Sequence, residues 1–280
     1  LQAMTFPLIA SAIISSALSI YWLSAGFRPD LAVNWRESIP FIKFGAYRIG
    51  ETLSNTLRMQ TDIFIGSVVA PASALGNHSL PRDLTLRASN TLINPIITRV
   101  SLPVLAKVQD DKAAIKSIFL STLLLTASIN FPVYFALMAW SDDVALLLLG
   151  SQWTQAGYFL QMFAIWGLIR STGNPAGALL YATGQVRRAF WWNTVLLLLT
   201  PLCLLVPAYT FGLEGLTWAM IGLQVVIFYP ACKVLLQPAC GSNLADYFVQ
   251  FAAHFDDSGG AHRAAEAGTP TREAARRRRP

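Results

Sequence analysis

Large apolar residues occur in this chain in long blocks separated by short polar turns. Blocks such as Met4–Ala25, Ile115–Trp140 and Trp191–Ala208 approach or exceed the roughly 20 residues that an α-helix needs to cross about 30 Å of hydrocarbon. The pattern predicts an all-α integral membrane protein, a polytopic bundle of about seven transmembrane helices. Hydropathy, proline, glycine and polar turns place the spans at Met4–Ala25, Phe41–Val69, Ala72–Val104, Ile115–Trp140, Gln155–Ala182, Ala189–Tyr209 and Gly215–Leu236.

The basic residues of the turns fall on one side of the predicted membrane. Every second turn carries Lys or Arg, and these residues are Arg28, Arg36, Lys43, Lys107, Lys112, Lys116, Arg187 and Arg188, with Lys233 just before the C-terminus. The remaining turns carry no base, and the longest of them, 141–153, holds Asp142 and Asp143. Because loops rich in Lys and Arg stay in the cytoplasm, the basic turns and the C-terminus are predicted to be cytoplasmic.

Composition narrows the possible functions. The chain is 54% hydrophobic and only 13% charged, which does not fit an ordinary soluble domain. The formal charge is +6, and the basic residues lie in short turns, inside the apolar blocks or in an Arg-rich tail, so no basic face suited to nucleic acid is predicted. The three cysteines lack metal-ligand spacing, and no cofactor or metal is expected. The segment from Asp256 is poor in large apolar residues and is predicted to be disordered, and Leu1 resembles the interior of a longer protein.

Charged residues interrupt the second and third spans in a regular pattern. In the second span Arg48, Glu51, Asn55, Arg58 and Asp62 share an arc of about 80° on a helical projection. A similar stripe in the third span consists of Asp83, Arg87, Asn90, Asn94 and Ser101, with Arg82 at its edge and Arg99 off it. A charge at mid-depth facing lipid costs about 2.5–3.5 kcal/mol, so both stripes are expected to face protein or water.

Two interpretations of the stripes remain open. The charged residues could pair with one another as interhelical salt bridges. Alternatively they could line a hydrated cavity, which would be net basic because five Arg (48, 58, 82, 87 and 99) face three acids (51, 62 and 83). A basic cavity suits a phosphate-bearing substrate, since the planar guanidinium group meets phosphate oxygens two at a time.

Three stretches resemble a known family. They are Phe44-Gly45 with Asn55, Asp62–Gly66 and Ala74–Gly76; Pro95–Ala106 followed by Asp110-Asp111; and Leu149–Ala156 with Ala182–Gln185 further on. Their order and spacing are similar to those of the Wzx-type polysaccharide (O-antigen and exopolysaccharide) flippases of the multidrug/oligosaccharidyl-lipid/polysaccharide exporter superfamily. The resemblance covers about Met4 to Leu236. It departs where relatives commonly have an aromatic residue and this chain has Asn77-His78, and most of the N-terminal lobe is missing.

The resemblance implies a division into lobes and a transport function. Residues 1–27 would be the last helix of the N-terminal lobe, 28–43 a cytoplasmic linker, 44–237 a six-helix C-terminal lobe and 238–280 a cytoplasmic tail. The implied function is translocation of an undecaprenyl-diphosphate-linked oligosaccharide across the bacterial inner membrane for cell-surface polysaccharide synthesis. Membrane lipids and other polysaccharide-assembly proteins are the further implied partners.

The same resemblance suggests roles for the polar residues of the two stripes. The cavity residues expected to bind the substrate are Arg48, Arg58, Arg82, Arg87, Asn55, Asn90 and Asn94, and those expected to balance charge or couple an ion are Glu51, Asp62 and Asp83. A drug or cation exporter of the same superfamily is an alternative, although its cavity should be acidic. A membrane-embedded polymerase or glycosyltransferase is a second alternative, but no turn is long enough to form an extramembrane domain, so an enzyme is not expected.

Overall fold

A computed structural model describes residues 11, 13–16, 18, 35–89, 94–109 and 111–241 of the chain. Contact clustering divides the chain into two compact units, Leu1–Lys43 and Phe44–Pro280, and the contacts discussed below belong to the second unit. The predicted first span, Met4–Ala25, lies mostly outside the described residues, and the predicted disordered segment from Asp256 lies entirely outside them.

The described part of the chain is helical and contains no β-strand, which confirms the all-α prediction. The helices are α1 (Trp35–Val69), α2 (Ala72–Arg87), α3 (Asn94–Lys107), α4 (Lys112–Ala139), α5 (Ser141–Leu149), α6 (Ala156–Ser171), α7 (Asn174–Ala182), α8 (Val186–Ala231), a π-helical turn (Cys232–Leu236, the π segment) and α9 (Gln237–Cys240).

Two helical segments in the described part are long and apolar enough to cross a bilayer, Lys112–Ala139 and the continuous stretch Val186–Cys240. Only 22% of the most apolar window of the second segment is buried inside the protein, so most of it faces outward. The count of seven spans stays a prediction. The predicted span Ala72–Val104 is described as two shorter helices, α2 and α3, and Gln155–Ala182 is likewise divided into α6 and α7.

The predicted turn 141–153 is partly helical. Its first nine residues form α5. Asp142 and Asp143 lie in the first turn of this helix, where negative charge interacts favourably with the unpaired backbone N–H groups. Asp111 acts in a related way, because its side chain accepts hydrogen bonds from the backbone N–H groups of Ala113 and Ala114 and so begins α4.

The longest helical segment, α8, folds back on itself at a glycine. Gly212 has φ +64° and ψ −146°, a conformation that interrupts the helix and that L side chains rarely adopt. The two halves, 186–211 and 213–231, approach closely beside it, since a Cβ on Gly215 would lie 2.4 Å from the carbonyl oxygen of Pro207. Further along, Leu196 of the first half and Gln224 of the second line the same cavity. The predicted break between the sixth and seventh spans is confirmed.

Helix α6 lies at the centre of the bundle and packs against α2, α4, α5 and α8. Phe159 and Phe163 of α6 are buried in a core that also contains Ile65 of α1 and residues of both halves of α8. The imidazole of His78 from α2 lies edge-on to both phenyl rings, with centroid distances of 5.4 Å and 4.9 Å. A second core joins α3, α4, α7 and the π segment around buried residues such as Leu123 and Leu179.

Two of the sequence motifs that carry the family resemblance pack directly against each other. Gly76 ends the Ala74–Gly76 motif on α2, and a Cβ at this position would lie 2.3 Å from the indole ring of Trp153 in the Leu149–Ala156 motif. Asn77 holds the same junction, because its side-chain oxygen accepts a hydrogen bond from the backbone N–H of Gln155 at 3.3 Å. The spacing of these motifs in the sequence therefore reflects a contact between α2 and the loop that precedes α6.

Replacing Gly76 by Ala is expected to destabilise the protein by about 1–3 kcal/mol, because the added methyl group overlaps the rigid Trp153 ring. The measurement is the midpoint of thermal unfolding in detergent. Gly222→Ala is the matched control, since no atom lies within 4 Å of its Cβ position and alanine favours a helix by about 0.5–1 kcal/mol. Equal midpoints for the two variants would contradict the packing described here.

Candidate functional site

A cavity of about 340 Å³ lies between α1, α6, α7, the two halves of α8 and the π segment. Much of its wall is apolar and includes Ile169, Leu196 and Phe228. Eight polar side chains converge on this wall, and they belong to Glu51, Asn55, Arg58, Arg170, Thr172, Tyr181, Asn193 and Gln224. A concave apolar wall with a few convergent polar groups is typical of a ligand-binding pocket.

Glu51 is held by partners from three helices. The Tyr181 hydroxyl of α7 donates to Glu51 Oε2 at 2.9 Å, and Asn193 Nδ2 of α8 donates to Oε1 at 3.1 Å. Arg48, three residues earlier on α1, forms an ion pair with the same carboxylate, and its guanidinium carbon lies 4.2 Å from the centre of the Tyr181 ring. These contacts join α1, α7 and α8, and they compensate the charge of Glu51 within the protein.

The two arginines that line the cavity form no salt bridge in the part of the chain that the structure describes. Arg58 donates a hydrogen bond to Asn55 Oδ1 at 3.0 Å, and its buried Nε has no hydrogen-bond partner. Arg170 of α6 is placed with its guanidinium carbon 5.3 Å from the centre of the Trp166 ring. Since Glu51 is already paired with Arg48, these two guanidinium groups give the cavity an uncompensated positive charge. A bound anion would supply what they lack.

A second charged cluster lies beside the cavity, and its buried charges pair with one another. Arg82 of α2 places Nε 2.5 Å from Oδ2 of Asp62 on α1, and both side chains are 3% exposed. The same guanidinium group donates to Asp83 at 2.9 Å and to the backbone carbonyl of Met59. Arg58 lines both the cavity and the small space of about 30 Å³ next to Asp62 and Arg82. This cluster joins α1 to α2, and the two carboxylates neutralise the charge of Arg82 within the protein.

The structure separates the residues of the two predicted stripes. Glu51, Asn55 and Arg58 line the cavity and Arg48 contacts it through Glu51, whereas Asp62 and Arg82 lie in the adjacent cluster. Asp83 and Arg87 are exposed, while Arg82, which the pattern put at the edge of its stripe, is buried. Asn90 lies outside the described residues, and Asn94 begins α3 but its side chain is not among those described. The prediction for the third span treated residues 83–101 as one continuous helix. In the structure α2 ends at Arg87, so a single helical projection does not hold beyond that residue.

Sequence reasoning missed the partners that the later helices contribute. All four line the cavity but lie outside the second and third spans, in which the polar stripes were predicted; they are Arg170, Tyr181, Asn193 and Gln224. The signal was present, because a lone polar or charged residue inside an apolar block is costly unless it faces a partner or a cavity. Arg170 in particular is a charged residue within the predicted span Gln155–Ala182.

Comparison with known proteins identifies the family. A family model described as "Polysaccharide biosynthesis protein" matches residues 2–157. The chain belongs to this family. The family predicted from the sequence motifs is thereby confirmed, and the outward-facing apolar helices agree with a membrane protein.

Several curated relatives align with most of the length of this chain. The lipopolysaccharide biosynthesis protein WzxC of Escherichia coli (strain K12) is 29% identical over 80% of this chain, and the teichuronic acid biosynthesis protein TuaB of Bacillus subtilis (strain 168) is 30% identical over 89%. The amylovoran biosynthesis protein AmsL of Erwinia amylovora is 26% identical over 89%. The chain spans 45%, 52% and 64% of these relatives, respectively. No solved structure matches the chain.

Asp62→Asn is expected to destabilise this family member by about 3–5 kcal/mol, because it leaves Arg82 buried without its closest carboxylate. Asp83→Asn is the matched control. It removes the other carboxylate on the same guanidinium group, but its side chain is 55% exposed, so a loss below about 1 kcal/mol is expected. Thermal unfolding of both variants in detergent measures the difference. If Asp83→Asn cost as much as Asp62→Asn, Asp62 would not be the main partner of Arg82.

Proposed function

We propose that the protein acts as a flippase for a lipid-linked oligosaccharide whose carrier is undecaprenyl diphosphate. The observation that carries this proposal is the pair Arg58 and Arg170, two cavity arginines that form no salt bridge in the described part of the chain. A diphosphate group offers several anionic oxygens, and guanidinium groups bind such oxygens in pairs through charge-assisted hydrogen bonds. The polysaccharide biosynthesis roles in the names of the relatives agree with a substrate of this class.

The cavity supplies separate groups for the two parts of such a substrate. Arg58 and Arg170 would bind the diphosphate, and Asn55, Thr172 and Gln224 offer neutral hydrogen-bonding groups for sugar hydroxyls. The apolar remainder of the wall would contact the polyprenyl chain. Of the other predicted substrate residues, Arg48 would act by holding Glu51, and Arg82 by holding α1 against α2. Roles for Arg87, Asn90 and Asn94 in binding stay predictions.

The acids of the site have proposed roles in charge balance. Glu51 is matched by Arg48, and Asp62 by Arg82, so a proton or cation that displaced either arginine would also change the electrostatic potential of the cavity. Asp83 contacts the same Arg82 from its exposed side. We therefore include in the proposal that these carboxylates couple transport to an ion.

The proposed setting is the bacterial inner membrane, with the C-terminus in the cytoplasm. In this arrangement the basic turns face the cytoplasm and Gly212 lies at the opposite side, between two antiparallel spans. Residues 1–27 and 44–237 would belong to the N-terminal and C-terminal lobes, joined by the linker 28–43. The chain spans about half the length of the two relatives WzxC and TuaB.

The charge of the cavity weighs against the alternative of a drug or cation exporter. Its lining carries two arginines, and its one carboxylate, Glu51, is engaged by Arg48, Tyr181 and Asn193. An organic cation would therefore meet repulsion and no free carboxylate. The second alternative, a glycan polymerase or glycosyltransferase, can be distinguished from a flippase by an activity measurement. Such an enzyme would transfer sugar in detergent, whereas a flippase needs a bilayer.

Arg58→Gln and Arg170→Gln are each expected to weaken binding of undecaprenyl diphosphate by about 10- to 100-fold, because a hydrogen bond to a charged group contributes about 1.5–3 kcal/mol. The measurement is equilibrium binding to the purified chain in nanodiscs. Undecaprenol, which lacks the phosphates, should bind the original protein weakly and should not distinguish the variants.

Two further variants act as controls for this test. Lys112→Gln removes an exposed charge at the start of α4 and should leave binding unchanged. Arg87→Gln distinguishes two placements of this residue. The structure exposes Arg87, so binding should be unchanged, whereas the stripe predicted from the sequence puts it in the cavity, where its loss would weaken binding as Arg58→Gln does. Unaltered binding in Arg58→Gln and Arg170→Gln would refute the proposal, as would tight binding of cationic dyes or sugar transfer in detergent.

A further inference from the structure

A second concave surface, separate from the charged clusters, lies where α8 begins. It is a groove of about 560 Å³ lined by Arg187, Arg188, Trp191, Trp192, Val195 and Val234. The first five residues come from the first three turns of α8, and Val234 comes from the π segment. Trp192 also lines the cavity described above, so its indole ring forms part of the wall between the two spaces.

No salt bridge in the described residues neutralises the basic residues of the groove. Arg187 and Arg188 lie in the first turn of α8, where the helix dipole disfavours a cation by about 0.3–1 kcal/mol. Neither forms an ion pair with any acid in the described residues, and no acid lines the groove. Arg188 donates a hydrogen bond to the neutral side chain of Gln185 at 2.6 Å. Their positive charge is therefore available to a ligand.

The apolar wall of the groove continues directly from its basic end. Arg187, Trp191 and Val195 are spaced four residues apart, so they follow one another along one face of the helix over about 12 Å. Trp191 is 53% exposed, Val195 is 55% exposed and Val234, across the groove, is 48% exposed. Tryptophan is also the residue that prefers the boundary between headgroups and acyl chains.

We infer that this groove is a binding site for an anionic phospholipid. The phosphate of the lipid would contact Arg187 and Arg188, and an acyl chain would lie along Trp191, Val195 and Val234. A free phosphate ion would leave the apolar wall exposed, and a neutral lipid would leave both guanidinium groups without an anion. The site matches a molecule that carries both parts, and Arg187 and Arg188 belong to one of the turns predicted to be cytoplasmic.

This inference does not depend on the proposed flippase activity. The transport cavity holds its charges at Arg58 and Arg170, and neither residue lines the groove. Loss of undecaprenyl diphosphate binding in the variants of those two arginines would therefore leave phospholipid binding in the groove intact. Variants of the groove should likewise leave binding of undecaprenyl diphosphate intact, provided that Trp192, which lines both spaces, is unchanged.

The test measures binding of phosphatidylglycerol to the purified full chain by native mass spectrometry, with phosphatidylcholine as the neutral comparison. The original protein should retain phosphatidylglycerol at least about tenfold more strongly. The double variant Arg187→Gln/Arg188→Gln should lose this preference. Lys107→Gln/Lys112→Gln removes the same charge from exposed positions outside the groove and should keep it.

A second pair of variants tests the apolar wall. Trp191→Ala should weaken phosphatidylglycerol binding several-fold, whereas Trp218→Ala should not, although Trp218 lies on the same helix and is 54% exposed. Several outcomes would overturn the inference. The first is equal retention of phosphatidylglycerol and phosphatidylcholine by the original protein.

Equal losses in the groove variants and the control variants would show that phosphatidylglycerol is held by diffuse electrostatic attraction and not by the groove. Competition by inorganic phosphate, or preferential binding of undecaprenyl diphosphate, would show that the groove binds another ligand.

Discussion

The cost of removing an arginine from water organises the interior of this protein. A guanidinium group away from bulk solvent must find an anion, a carbonyl or an aromatic face, and the described arginines of the bundle find different solutions. Arg82 uses two carboxylates and a backbone carbonyl, and Arg48 uses Glu51 and the Tyr181 ring. Arg58 and Arg170 instead face a cavity, which makes that cavity the place where a negatively charged ligand would be stabilised.

Breaks in the helices determine which side chains reach the cavity. The reversal at Gly212 brings Asn193 and Gln224, which are far apart in the sequence, to the same wall. The interruption between α6 and α7 has a similar effect, because Arg170 precedes it and Tyr181 follows it. At a rise of about 1.5 Å per residue, a straight continuation would place Asn193 and Gln224 roughly 46 Å apart and Arg170 and Tyr181 roughly 16 Å apart.

The motifs that resemble the family consist largely of packing contacts, although Asn55 of the first motif also lines the cavity. Gly76 makes room for Trp153, and Gly66, at the end of the Asp62–Gly66 motif, lies against Leu75. Such contacts fix how α1, α2 and α6 pack, and they explain why the order and spacing of the motifs were informative. The polar residues that give the cavity its charge lie elsewhere, so membership of the family and the chemistry of the site rest on different parts of the chain.

The sequence by itself determined the helical class, the family, the break near Gly212 and the polar face of α1, because these depend on local composition and on the period of a single helix. It also identified Arg58 and Glu51 as cavity residues. Only the tertiary structure decided that Arg82 is buried and Asp83 exposed, and that Arg170 and Tyr181 join the site. Helical periodicity predicts which residues share a face, but the partner that the face meets depends on how separate helices pack, and that packing is not encoded at any single position.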